Sequence, residues 1–282
     1  MKTHPDCIPC FYRQALSAAR QVTADEEKLK SILDRLTAAV VQFPLTEPPP
    51  GMGIHIYESI RAETGEDDPY RGLKAEYNRK AMALYPVFKE EIVNAADPLQ
   101  LALKLAVAGN VIDFGPHGGF DLEGELEALA TRPFAVFEYD TFKRTAERAK
   151  SIFYVGDNAG EIVFDRLLIE TLGKRTFFSV RGRPIINDVL REDAEFTGMD
   201  RVAGIVDTGS GAAGVILDEA PPDFLKHFEE SDLVISKGQG NFESLESTDR
   251  PIFFLLKAKC EVVASHLGVR LGDLIVKGRN IR

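Results

Sequence analysis

The sequence predicts an α/β protein, a doubly wound, mostly parallel sheet of the Rossmann-like three-layer kind, preceded by an N-terminal helical domain. Three observations predict it. From residue 109 onward, short β-branched or aromatic runs alternate with helical stretches, the pattern of parallel strands joined by helical crossovers. Up to about residue 105 the apolar residues recur at helical spacing with no strand pattern between them. Glycine-rich polar segments follow the strand-like runs, at the edge where open α/β sheets bind ligands. The division is placed so that residues 1–105 form the helical domain and 106–282 the α/β domain.

After Cys7-Ile8-Pro9-Cys10, the run Phe11 to Arg20 combines strong helix formers with an apolar stripe at Phe11, Ala15, Ala18, Ala19 and Val22. A second helix starts at the capping pattern Thr23-Ala24-Asp25-Glu26 and runs to about Val41, where Pro44 and Pro48-Pro49-Pro50-Gly51 stop the chain. Met52 to Thr64 and Tyr70 to Leu84 read as two more helices, and Pro98 to Ala108 as a further apolar one. The strand candidates are Ser151 to Val155, Thr176 to Val180, Val202 to Val206, Leu233 to Ser236 and Pro251 to Leu256. Helices are expected around 161–173, 187–194, 221–229 and 242–247. Val269 to Lys277 adds a final strand, for which an antiparallel place at the sheet edge is open.

Composition removes several function classes. With 34 basic against 44 acidic residues the net charge is -10, which argues against a nucleic-acid binder held by phosphate attraction. No apolar run approaches the ~18 residues of a membrane span, and Met-Lys-Thr-His-Pro-Asp lacks a signal-peptide core, so the cytoplasm is expected and no membrane partner. An anionic substrate therefore needs a local positive centre.

Val155-Gly156-Asp157-Asn158-Ala159-Gly160-Glu161 reads as a strand end, a tight turn and a helix start. Gly156 and Gly160 permit the turn, and Asp157 and Asn158 set two hard oxygen donors beside the free N–H groups of the helix start. A plain helix cap explains the same two residues. Further strand ends lead into Arg181-Gly182-Arg183-Pro184-Ile185-Ile186-Asn187-Asp188, Asp207-Thr208-Gly209-Ser210-Gly211 and Ser236-Lys237-Gly238-Gln239-Gly240-Asn241. Asp188 is the best third metal oxygen, with a helix cap again the alternative. Two carboxylates and an amide oxygen suit Mg²⁺ or Mn²⁺, and no His lies in these loops to favour zinc. Lys237 offers a phosphate a point charge, Gly238 and Gly240 leave room for it, and Asn241 opens the next helix; the order is not that of a Walker A loop. Arg181 and Arg183 are the next phosphate candidates, and Thr208 to Gly214 is a second anion nest or a flexible loop. Glu161 orients a water, acts as general base, or simply complements the helix dipole.

Gly156 to Asp165, Val180 to Asp188 and Lys237-Gly238-Gln239-Gly240-Asn241-Phe242-Glu243 together resemble the damage-control phosphatases, once catalogued as domain of unknown function 89. Ala108-Gly109-Asn110-Val111-Ile112-Asp113 and Cys7-Ile8-Pro9-Cys10 are similar to that family's stand-alone prokaryotic branch, so the resemblance covers nearly the whole chain. It implies metal-dependent hydrolysis of small phosphometabolites such as sugar phosphates. The positions Asp157, Asn158 and Asp188 would carry Mn²⁺ or Mg²⁺, with Ni²⁺ or Co²⁺ as alternatives, and Lys237 would hold part of the phosphate. Asn110 and Asp113 are expected to enter the cleft from the domain junction, or to cap helices. In-line attack by water is favoured over an aspartyl-phosphate, because the usual Asp-x-Asp-x-Thr pattern is missing. Two other readings stand beside this one: a nucleotide or sugar-phosphate binding protein without turnover, and a transferase on the same fold.

Three cysteines do not make a disulfide framework. Cys7 and Cys10 supply half of a zinc site, which Cys260 with His4 or His266 would complete; reduced structural thiols are the plainer reading. His117 belongs to a substrate loop or to a surface turn. The substrate and the oligomeric state are not legible.

Overall fold

The computed structural model describes residues 1–109 and 133–281; Asn110, Asp113 and His117 lie outside the described residues. Five helices come first: α1 (Cys7–Ala19), α2 (Glu26–Gln42), α3 (Met52–Thr64), α4 (Arg71–Asn94) and α5 (Pro98–Ala108). Asp25 caps α2 by accepting from the N–H groups of Glu27 and Lys28, and Asp97 caps α5 through Gln100. Helix α4 runs through Pro86, past the expected stop at Leu84. A proline inside a helix costs about 3 kcal/mol. Continuing the helix buries Phe88 and Ile92, each worth roughly 1.5–3 kcal/mol, with the Phe88 ring edge-on to Phe164 at 5.3 Å. The two side chains outweigh the one proline.

Among the described residues seven strands follow: β1 (Phe134–Phe137), β2 (Ser151–Val155), β3 (Arg175–Val180), β4 (Gly204–Asp207), β5 (Leu233–Lys237), β6 (Ile252–Lys257) and β7 (Leu274–Arg279), in the order β1-β7-β6-β5-β2-β3-β4. Strands β2 to β6 are parallel to one another, β7 runs antiparallel to β6, and β1 pairs parallel with β7. The expected strands are present, with β4 shifted to 204–207. Strand β1 and helix α6 (Tyr139–Arg148) were not anticipated, since Phe134-Ala135-Val136-Phe137 has no period-2 pattern and takes its place only by pairing with the C-terminal strand. The later helices are α7 (Glu161–Leu172), α8 (Arg191–Phe196), α9 (Pro222–Glu230), α10 (Gln239–Leu245) and α11 (Glu261–Leu267). The helix expected over 187–194 thus begins only at 191, and the one expected over 242–247 begins at 239.

Side chains alternate across the strands and make two cores. Ile152, Tyr154, Phe178, Ile235 and Phe253 share a core with α4, α5, α6 and α7, whereas Phe153, Val155, Val234 and Phe254 pack against α9, α10 and α11. Helices α1, α2 and α3 form a third core with Ile185. In this packing α4 and α5 share a core with the sheet, and the first three helices have a core of their own. Among the described residues, no helix is long and apolar enough to cross a membrane.

From β2 the chain builds outward through β3 to β4, then returns to lay β5 on the other side of β2. The carboxyl ends of β2 and β5 are thus neighbours at the point where the winding reverses, the crevice where open α/β sheets bind ligands.

Candidate functional site

Beyond Val155, the N–H of Gly156 continues the ladder to the Ser179 carbonyl, and a Cβ at Gly156 would press on the Phe178 ring. The turn then leaves the sheet and pairs with the loop after β3. Asn158 and Asp188 form an isolated antiparallel bridge; Val189 N–H donates to Asp157 O at 2.8 Å and Ala159 N–H to Asn187 O at 2.8 Å. Asp188 is therefore held in a bridge, not as a helix cap. From the other side comes Gly238, at φ 79°, where any Cβ would overlap the Asp157 carboxylate.

The side chains gathered here are almost all charged and almost all buried. Asp157 and Asn158 are 6% exposed, Glu161 and Asp188 3%, Arg181 2%, and Asp165 and Lys237 0%. Asn158 Nδ2 donates to Asp157 Oδ2 at 2.6 Å and to Glu161 Oε2 at 3.1 Å. Arg181 Nε donates to Asp188 Oδ2 at 2.7 Å, and its Nη2 lies 3.9 Å from Asp157 Oδ1. Burial, with the charges of Asp188 and Glu161, pushes the Asp157 carboxyl up to about 8. Burial also raises Asp188, although Arg181 opposes it.

The Lys237 ammonium, expected to hold part of a phosphate, is turned inward. Its three hydrogens reach Ala106 O at 2.6 Å, Glu161 Oε1 at 2.6 Å and Asp165 Oδ1 at 2.5 Å. Burial alone would lower this lysine, but Asp165 and Glu161 outweigh burial and hold it above its ordinary range. Tyr154 also donates to Asp165, at 2.7 Å. Asn241 is likewise turned inward. Its Nδ2 donates to Gly156 O and Lys237 O, and its Oδ1 accepts from Arg181 Nη2 and Val215 N–H, which uses the whole amide. A Cβ at Gly240 would overlap the Ala213 carbonyl, so the loop after β4 packs on this glycine instead of leaving it open. Lys259, exposed on the loop after β6, is a further cation, whose charge favours the ionised forms of Asp157 and Asp188.

Asp157, Asn158 and Asp188 carry oxygen donors of the kind that could hold a hard divalent ion. Four buried carboxyl groups, those of Asp157, Glu161, Asp165 and Asp188, face two buried cations, Arg181 and Lys237; with all four ionised the excess is two negative charges, which is what such an ion would neutralise. Among the described residues, no group of three or more His, Cys, Asp or Glu side chains is gathered for a metal. The set here is two carboxylates and one amide. Cys7, Cys10 and Cys260 are free thiols, Cys10 and Cys260 near enough for their charges to act on Cys7, and neither histidine joins them: Gln239 Nε2 donates to Cys260 Sγ at 3.4 Å, His4 faces Asp6 and His266 faces Glu246.

Arg181 and Asp165 carry more of this site than sequence reasoning assigned to them. Asp165 left a signal, because it follows Glu161 by one helical turn and both must project to the same side of α7. Arg181 left none, since its partners Asp188 and Asn241 are fixed only by the fold. Lys259 went unremarked because nothing local marks the end of β6 as adjoining the β2 turn.

The sequence matches the damage-control phosphatase ARMT1-like domain over residues 3–275. It is 35% identical to an uncharacterised protein of Methanocaldococcus jannaschii, with 99% of this chain and 96% of that one aligned. It is 34% identical to a damage-control phosphatase of Archaeoglobus fulgidus, over 98% of this chain and 99% of that one. The crystal structure of a domain-of-unknown-function-89 family protein from Pyrococcus horikoshii superposes with a TM-score of 0.91 at 31% identity, covering 99% of both chains.

Proposed function

We propose that this chain, which belongs to the damage-control phosphatase ARMT1-like domain family, is a divalent-metal-dependent phosphatase of small phosphorylated metabolites. The observation that carries the reading is the buried cluster at the β2–β5 crevice, where carboxyl groups outnumber cations by two. Asp157, Asn158 and Asp188 would hold Mg²⁺ or Mn²⁺, with Ni²⁺ or Co²⁺ also compatible with oxygen and amide donors. When bound, the ion polarises the phosphoryl group and offsets the charge that builds up in the transition state.

The remaining residues take roles that follow from their partners. Arg181 grips Asp188 by one oxygen, which turns the other away from the guanidinium. Lys237 and Asn158 occupy one oxygen each of Glu161, so Glu161 fixes the Asn158 amide and orients a water rather than swinging free as a base. Lys259, exposed and with its charge favouring the ionised forms of both metal-binding carboxyl groups, is the ammonium that would meet a phosphate oxygen. Water then adds to phosphorus as the ester P–O bond breaks, and the leaving oxygen takes up a proton. Gly238, bare against Asp157, keeps this floor open.

The test is inorganic phosphate release from an aryl phosphate and from a panel of sugar phosphates, by purified protein stripped with EDTA and resupplied with Mn²⁺ or Mg²⁺. Metal-restored release is expected. Binding without release under any metal would leave the protein a binder and overturn the assignment.

A further inference from the structure

A buried polar chain runs from the helical layer to both loops of the cluster. Asn78, on α4 and 1% exposed, accepts the N–H of Gly160 at 2.7 Å through Oδ1 and donates through Nδ2 to Asp193 Oδ1 at 2.7 Å. Asp193 Oδ2 in turn accepts the N–H of Leu190 at 2.8 Å, two residues beyond Asp188. Behind it Lys74, also 1% exposed, lies 3.7 Å from Asp193 and 2.8 Å from the buried Asp68. One amide therefore grips the turn that carries Asp157 and Asn158 and, through Asp193, the loop that carries Asp188.

We propose that Asn78 is a positioning residue for the cation site, setting the spacing of the two loops that present Asp157, Asn158 and Asp188; the inference rests on the metal-dependent reading above. On their own side these loops are joined by two backbone hydrogen bonds around the Asn158–Asp188 bridge, Val189 N–H to Asp157 O and Ala159 N–H to Asn187 O. The Asn78 amide closes the opposite side. Gly160 sits at φ 78°, and Tyr77 lies 3.1 Å from where a Cβ would be, so α4 touches the turn directly and a side chain at position 160 would press on it. The position requires an acceptor and a donor at once. Aspartate keeps the acceptor for Gly160 but faces Asp193 with like charge, and alanine loses both contacts.

The experiment is Mn²⁺ titration calorimetry of the full chain, with the Mn²⁺ dependence of aryl phosphate turnover measured alongside. Asn78→Ala should weaken Mn²⁺ by about 10- to 100-fold, the usual scale for a residue that orients metal ligands, with kcat recovering to within about threefold at saturating Mn²⁺. The nearly isosteric Asn78→Asp should fold and still fail to restore affinity. Tyr85→Phe removes another hydrogen bond of α4, to Glu170 at 2.8 Å, and should leave Mn²⁺ affinity unchanged. If Asn78→Ala lowers the melting temperature but binds Mn²⁺ as wild type does, or if Tyr85→Phe weakens Mn²⁺ equally, Asn78 is only a structural tie. A wild-type chain that binds no divalent ion removes the cation reading itself, and the inference with it.

Discussion

Asp157→Asn should make the metal-free protein more stable, and by an amount that depends on pH. The wild-type carboxyl is raised from an ordinary 3.8 to about 8 by burial and by the facing charges of Asp188 and Glu161. Below pH 4 it is protonated in folded and unfolded chains alike and contributes no difference. Between pH 4 and pH 8 the unfolded chain gives up this proton while the folded one retains it, so stability falls as pH rises; above pH 8 the penalty is complete. At about 1.4 kcal/mol per pH unit the full penalty is on the order of 5 kcal/mol, of which several kcal/mol should be visible at pH 8. The amide keeps the shape and an oxygen to accept from Asn158, now at 2.6 Å, without the charge. Melting in EDTA at pH 8 should therefore rise on the order of 5 °C in the variant, with the difference mostly gone at pH 4.5. Mn²⁺ should narrow the gap, because binding to the folded state at a hundredfold excess over Kd stabilises the wild type by about 2.7 kcal/mol, roughly half of the penalty, and the variant lacks a ligand. The reasoning is refuted if the variant melts below wild type in EDTA at pH 8, or if the difference does not change with pH.

Three further outcomes are expected. Lys237→Met leaves Glu161 and Asp165 buried without their cation and should cost about 3–5 kcal/mol by chemical denaturation, whereas a loss under ~1 kcal/mol would mean that the ammonium is not held where the structure puts it. Lys259→Ala, an exposed change, should shift stability by less than ~0.5 kcal/mol yet lower kcat/KM on an aryl phosphate by roughly 10- to 100-fold, while Mn²⁺ affinity measured by calorimetry holds or tightens; unchanged kinetics would return the phosphate to another cation. Gly238→Ala forces a methyl group into the Asp157 carboxylate at a φ of 79°, and should both destabilise by about 1–3 kcal/mol and abolish calorimetric Mn²⁺ binding; normal Mn²⁺ binding would show that Asp157 does not lie against that glycine.

The sequence by itself determined the parts of this protein that depend on neighbours along the chain. Alternating runs marked β2 to β6, and the glycine-bearing turns after β2 and β3 marked where Asp157, Asn158 and Asp188 would lie, because a strand, a turn and a helix start are each written in about ten consecutive residues. Charge partners are not. Lys237 finds Glu161 and Asp165 more than seventy residues away, and whether its side chain meets carboxylates or solvent depends on how β5 is laid beside β2. The same holds for Asn241, consumed by backbone groups from three segments, and for Asn78, which reaches across from a helix that the sequence had assigned to another domain. Helix α4 outran its proline for a related reason, since the apolar face that sustains it is supplied by α7. In a buried, crowded cluster each ion is placed by the cost of leaving any other unpaired. That cost is a property of the assembled site, and only tertiary structure decides it.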